Sequence, residues 1–137
     1  MSRANPWRIV LSGIVAGLVW TVLSSLITAY LSTEFVTLVP GRRLSAPPGG
    51  LVAFLVVVNL VMGVWAMWLY AAIRPRYGPG PWTALRAGAS WWVITTLVDT
   101  TWGSFGFVRQ HALLAPMLAS LPALMLAALA GAWLYRE

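Results

Sequence analysis

The chain has no cysteine, no lysine, one histidine and three acidic residues among its 137 positions. Without cysteine there are no disulfides, thiolate metal sites or redox thiols, and the redox compartment stays open. The acids are Glu34, Asp99 and Glu137, and the histidine is His111. That set supplies no metal-ligand spacing, no nucleophile–base–acid constellation and no apposed carboxylates, and no phosphate loop is present. The expectation is therefore no enzyme acting alone, no metal and no cofactor. Polar stretches are scarce too: 60% of residues are hydrophobic, only 9% are charged, and mean hydropathy is +0.80. Neither a soluble domain nor a disordered chain of this length has such a composition.

What is present is hydrocarbon. Apolar runs cover 9–31, 51–73, 87–108 and 113–135. Each is long enough to cross a hydrocarbon core of about 30 Å at about 1.5 Å per residue. The fold class expected is all-α: an integral membrane four-helix bundle in one transmembrane domain, with helices near 6–32, 51–73, 82–105 and 112–135. The first run follows Arg3 and Arg8 as a signal peptide would, but it is about twice the length of a typical signal h-region and lacks a small-x-small end. It is read as a retained helix.

All the basic charge is arginine, and the net charge of +6 is spread over segment ends, which argues for lipid headgroups and topology over nucleic acid. With four spans, the termini and the second loop share one side, carrying Arg3, Arg8, Arg74, Arg76, Arg86 and Arg136. The other side has Arg42, Arg43 and Arg109. Six arginines against three favour both termini in the cytoplasm, with Arg74, Arg76 and Arg86 at lipid headgroups.

Local signals refine the helices. Asn5 and Pro6 suit an N-cap and a first helical position. Gly13 and Gly17 form a Gly-x-x-x-Gly pair for close helix approach, and Ala119, Ala123, Ala127 and Gly131 make a second small-residue stripe. Thr21, Ser24, Ser25 and Thr28 share one face of helix one, where hydroxyls can bond the carbonyl one turn back. The first loop carries Glu34, Arg42, Arg43 and the breaker cluster 47–50, and its apolar part at 35–39 suits the membrane surface. In the second loop Pro75 disfavours helical geometry at Arg74, glycines 78 and 80 supply positive φ, and Pro81 opens helix three. The short connection makes helices two and three antiparallel neighbours. In helix four, Pro116 suits the opening turn and Pro122 a kink.

The stretch 91–103, Trp-Trp-Val-Ile-Thr-Thr-Leu-Val-Asp-Thr-Thr-Trp-Gly, holds the only acid in any apolar run. Asp99 is expected past the midplane, in a polar layer with Thr95, Thr96, Asn59, Ser24, Ser25, Thr28 and Ser120. An ionised carboxylate there must be protonated, paired or hydrated. Two readings stay open: a proton or cation relay or ligand anchor, and a hydrogen-bonded clasp from Asp99 to Asn59 or to the helix-one hydroxyls. His111 is read as a solvated loop residue, with haem ligation the weaker alternative. Trp91, Trp92 and Trp102 are read as packing or interface residues, with a flat apolar ligand as a further option.

An internal echo accompanies this stretch. Residues 17–28 align with 88–99 at an offset of 71, so that glycine, tryptophan, a hydroxyl pair and leucine coincide and Asp99 falls opposite Thr28. Helices two and four both end in Trp-Leu-Tyr, at 68–70 and 133–135. The pattern reads as two repeated helical hairpins about an axis along the membrane normal.

The run 68–81, Trp-Leu-Tyr-Ala-Ala-Ile-Arg-Pro-Arg-Tyr-Gly-Pro-Gly-Pro, continues at 83–88 with Thr-Ala-Leu-Arg-Ala-Gly. Together with the tail Gly-Ala-Trp-Leu-Tyr-Arg-Glu at 131–137, it resembles a group of small bacterial four-helix membrane proteins. The resemblance implies the fold and no activity. It also implies an acid in the middle of helix one, where this chain has Ser24, so a shared acidic function would have moved to Asp99 or been lost.

The leading expectation is a non-enzymatic bundle acting by packing, as a homo-oligomer or as an accessory subunit among membrane lipids. The alternative is a small transporter or channel subunit using Asp99 for a proton or cation.

Overall fold

A computed structural model describes residues 5–35, 49–105 and 110–135, without the side chains of 32–35, 102–103 and 110–112. Four helices follow in order: α1 Pro6–Phe35, α2 Gly49–Tyr77, α3 Pro81–Ser104 and α4 Gln110–Leu134. The described chain is all-α. Three helical stretches, Pro6–Leu31, Gly49–Tyr77 and Leu113–Leu134, are long and apolar enough to cross a membrane. At 24 residues α3 has the length, about 36 Å, but Ser90, Thr95, Thr96, Asp99, Thr100 and Thr101 dilute its apolarity.

Helix ends follow local chemistry. Asn5 Oδ1 accepts the Trp7 amide at 3.0 Å, and the Asn5 carbonyl accepts from Arg8 and Ile9, so Asn5 caps α1 with Pro6 in the first turn. Gly78 at φ 80° and Gly80 at φ 139° make the reversal between α2 and α3. Thr83 secures it, donating its hydroxyl to the Gly78 carbonyl at 2.7 Å. Two expected boundaries are corrected. Helix two continues through Pro75 to Tyr77: the missing N–H costs one bond, but the Gly78 amide still closes the last turn on the Arg74 carbonyl at 2.8 Å. Pro116 lies beyond the opening turn, and α4 continues through both it and Pro122. Phe35 ends α1, while 36–39 of the expected surface stretch lie outside the described residues.

Around the bundle the order is α2, α1, α4, α3, with α2 and α3 touching along a shorter length and α1 diagonal to α3. Glycine and alanine set the closest approaches. Gly13 and Gly17 seat on α2, where Gly63 leaves room: a Cβ on Gly17 would come 2.7 Å from the Asn59 carbonyl oxygen and the Leu60 Cα. In the second hairpin a Cβ on Gly88 would come 3.0 Å from the Leu124 carbonyl oxygen and the Met125 Cα. Ala123, Ala127 and Gly131 are buried, and Ala119 is half-buried. Gly131 abuts Met67, Ser12 and Ala16. Both small-residue faces are thus consumed within one bundle.

Several positions 71 or 65 apart share an environment. Ser12 and Thr83, the buried polar residues of the core, lie 71 apart, as do the fully buried Ala16 and Ala87. Trp20 and Trp91, also 71 apart, meet with ring centroids at 6.0 Å. Tyr70 and Tyr135, 65 apart, meet edge-on at 5.8 Å. Asn59 and Leu60, which receive Gly17, lie 65 before Leu124 and Met125, which receive Gly88.

Candidate functional site

At the end of the bundle away from Arg74 and Arg86, the diagonal between α1 and α3 opens into a cleft of about 230 Å³. Ser24 and Thr28 of α1 face Thr95 and Asp99 of α3 across it, and Ser120 of α4 lies in its wall with Pro116 and Met117. Helical spacing explains the grouping, because 24 and 28 lie one turn apart on α1, as do 95 and 99 on α3. The cleft exists because α1 and α3 are held apart by their separate packing on α4. Trp20 forms its floor. Beside Trp20, Trp91 is buried, and its indole N–H has no hydrogen-bond partner.

Three of the four hydroxyl protons lining this cleft are committed to backbone, and no described bond uses that of Thr28. Ser24 donates to the Thr21 carbonyl at 3.1 Å and Ser120 to the Met117 carbonyl at 2.8 Å. Thr95 donates to the carbonyls of Trp91 and Trp92 at 3.2 and 3.0 Å. A hydroxyl has one proton and two lone pairs, so these oxygens can only accept. Asp99 is exposed and forms no hydrogen bond or ion pair with a described residue. The cleft therefore presents three acceptor oxygens, the Thr28 hydroxyl and one carboxyl group, and its chemistry suits a cation, a proton carrier or an N–H or O–H donor.

The expected polar layer divides. Asn59 is absent from the cleft: its amide donates to Thr21 Oγ1 at 3.2 Å, and Thr21 in turn donates to the Gly17 carbonyl at 2.8 Å. The proposed clasp from Asp99 to Asn59 is thus not formed, because the close α1–α2 approach gives Asn59 a nearer acceptor. The clasp from Asp99 to the helix-one hydroxyls is not formed either: Ser24 is turned to its own backbone, and no described bond joins Thr28 to Asp99. Ser25 is exposed and donates to the Thr21 carbonyl at 2.7 Å. Thr96 is half-buried outside the cleft. His111, Trp102 and Arg109, as side chains, lie outside the described residues. Among the described residues no group of three His, Cys, Asp or Glu is placed to hold a metal.

Sequence reading missed three contributors. Trp20 and Met117 line the cleft, and the Met117 carbonyl also accepts the Trp92 indole N–H at 2.9 Å. Gly63 had a signal, a lone glycine in the apolar run facing the Gly-x-x-x-Gly pair.

Arg74, Arg76 and Arg86 lie at the opposite end. Arg74 lies over the Tyr135 ring at 5.5 Å, while Arg86 and Arg76 lie over Tyr77 at 4.3 and 5.7 Å. These are cation–π distances. Comparison of the chain with protein-family models, curated proteins and solved structures finds no match.

Proposed function

We propose that this is a non-enzymatic, multi-pass protein of the bacterial inner membrane that holds a proton or small cation at Asp99, as a small transporter or channel subunit. One observation carries the reading: Ser24, Thr95 and Ser120 donate their hydroxyls to backbone, so their oxygens and the Asp99 carboxyl group are left as acceptors. In hydrocarbon such a set needs water or a positive ligand. The arginine-rich end, by the excess of six over three, faces the cytoplasm together with both termini, and the cleft opens toward the other side.

The absence of natural cysteine makes hydration of the cleft directly measurable. Ser24→Cys is a near-isosteric change within the cleft, and Val93→Cys places a thiol on an exposed, apolar position of α3. A charged methanethiosulfonate reagent is expected to modify Ser24→Cys at least about tenfold faster, because only hydrated thiolate reacts. Equal, slow reaction at both positions would rule out a water-filled cleft.

A second reading, as a homo-oligomer or accessory subunit, now rests on α3 rather than on the glycine and alanine faces. Its far half exposes Asp99, Thr100 and Thr101, and α3 alone lacks a span apolar enough for lipid. Another copy or another subunit covering that face would remove polar groups from hydrocarbon. Native mass spectrometry from gentle detergent is expected to show a dimer or higher species; monomer in every mild detergent contradicts this reading.

The two hairpins are proposed to be repeats about an axis normal to the membrane. The self-pairing of Trp20 with Trp91 and Tyr70 with Tyr135 supports this, since residues that meet their own equivalents lie beside a two-fold axis. The cleft falls on that same axis, with Thr28 opposite Asp99. The bacterial family suggested by the 68–88 and 131–137 motifs is retained on the same footing.

A further inference from the structure

At the arginine-rich end, a groove of about 810 Å³ runs between the α2–α3 turn and the last turns of α4. Its polar wall is Tyr70, Arg74 and the opening of α3 at Gly80 and Pro81; its apolar wall is Leu126, Leu129 and Trp133. We propose that this groove is a binding site for one anionic phospholipid, with the phosphate against Arg74 and the Tyr70 hydroxyl and an acyl chain along α4.

The polar wall is made of donors. Tyr70 is 3% exposed, and its oxygen accepts the Gly80 amide at 3.4 Å. Its own O–H proton meets no described acceptor, so a buried hydroxyl on the groove wall is left able to donate. Leaving it unsatisfied is costly, and a phosphate oxygen satisfies it. Arg74 adds a permanent charge suited to phosphate. The opening turn of α3 adds the positive end of a helix dipole. Arg76 and Arg86 lie nearby on Tyr77, outside the groove lining, and repel a choline or ethanolamine headgroup.

The apolar wall has the direction that an acyl chain needs. Leu126, Leu129 and Trp133 follow one face of α4 at helical spacing, and Leu126 and Trp133 are exposed. The face runs from the headgroup level toward the midplane, about 10 Å over the seven residues from Trp133 to Leu126. A lipid with its phosphate at Arg74 would lay its chain along it, as pockets lined mostly by apolar side chains with a few fixed polar groups do for small ligands.

The test is native mass spectrometry of the full chain in detergent with equimolar phosphatidylglycerol and phosphatidylcholine. The wild type is expected to retain phosphatidylglycerol about fivefold over phosphatidylcholine, the ratio one arginine near the headgroup supplies. Arg74→Gln should lose that preference, and Tyr70→Phe should weaken retention of both lipids by about twofold to fivefold through loss of one hydrogen bond to the shared phosphate. Arg76→Gln should keep at least half of it. Equal retention of the two lipids by the wild type overturns the proposal without any variant, so a misfolded substitution does not shield it. An unchanged preference in Arg74→Gln overturns it as well. Displacement of phosphatidylglycerol by inorganic phosphate at constant ionic strength would assign the site to free phosphate and overturn the lipid.

Discussion

Gly63→Leu is expected to abolish the folded bundle, with a loss of about 3 kcal/mol or more, at or above the usual range for overpacking. A side chain at Gly63 would fall on the Gly13 carbonyl oxygen and the Gly17 amide nitrogen, with the Gly17 Cα at 2.7 Å. All three are backbone atoms of a helix and cannot rotate away. Separation of α1 from α2 would also break the Asn59–Thr21 bond and expose an amide in hydrocarbon. The readout is the midpoint of helicity loss as sodium dodecyl sulfate is titrated into micelles. A graded series sharpens it. Gly17→Ala should destabilise more than Gly88→Ala, since the nearest backbone lies at 2.7 Å in one case and 3.0 Å in the other. Gly49→Ala, with open space around it, should show no loss. If Gly17→Ala and Gly88→Ala do not both destabilise, the two hairpins do not use their glycines equivalently and the repeat reading fails.

Asp99→Asn is expected to leave folding intact and to remove the cleft's affinity for a positive ligand. Asp99 has no described partner to lose, so the neutral amide costs the bundle nothing in hydrogen bonds and removes the expense of charge in a membrane. Function should suffer far more. Asparagine has the shape of aspartate but cannot exchange a proton, and its NH2 group places donors among oxygens that had been left as acceptors. Transport through the site should fall by about tenfold or more, since the only charge in the cleft is gone.

Much of the fold is legible because a membrane reduces the problem to lengths and ends. Asn5-Pro6 and Pro81 mark helix starts, and Gly78 and Gly80 mark the reversal, through backbone preferences that act within a few residues. Pro75 misled for the opposite reason: its penalty is small in a last turn that a following glycine amide still closes. The Gly13/Gly17 pair revealed a close contact without revealing its partner. Such a motif fits an internal helix and a second copy equally well, and only the position of Gly63 decides between them.

The candidate site was half legible. The spacing of Ser24 with Thr28 and of Thr95 with Asp99 fixes which side chains share a helix face. Whether two faces oppose one another depends on how far each helix is held off by α4, and no pattern within α1 or α3 records that. Asn59 was misassigned because depth alone was used to place it. Its azimuth is set by the glycine contact one turn away, which turns its amide to Thr21.

The most direct measurement is flux of protons and monovalent cations into liposomes containing the wild type, Asp99→Asn or Asp99→Glu, read with an internal pH dye and an imposed cation gradient. The account predicts a flux above protein-free liposomes for the wild type, its loss in Asp99→Asn and partial return in Asp99→Glu, with all three proteins equally helical. A wild-type flux that Asp99→Asn leaves unchanged, or no flux above empty liposomes, would contradict it.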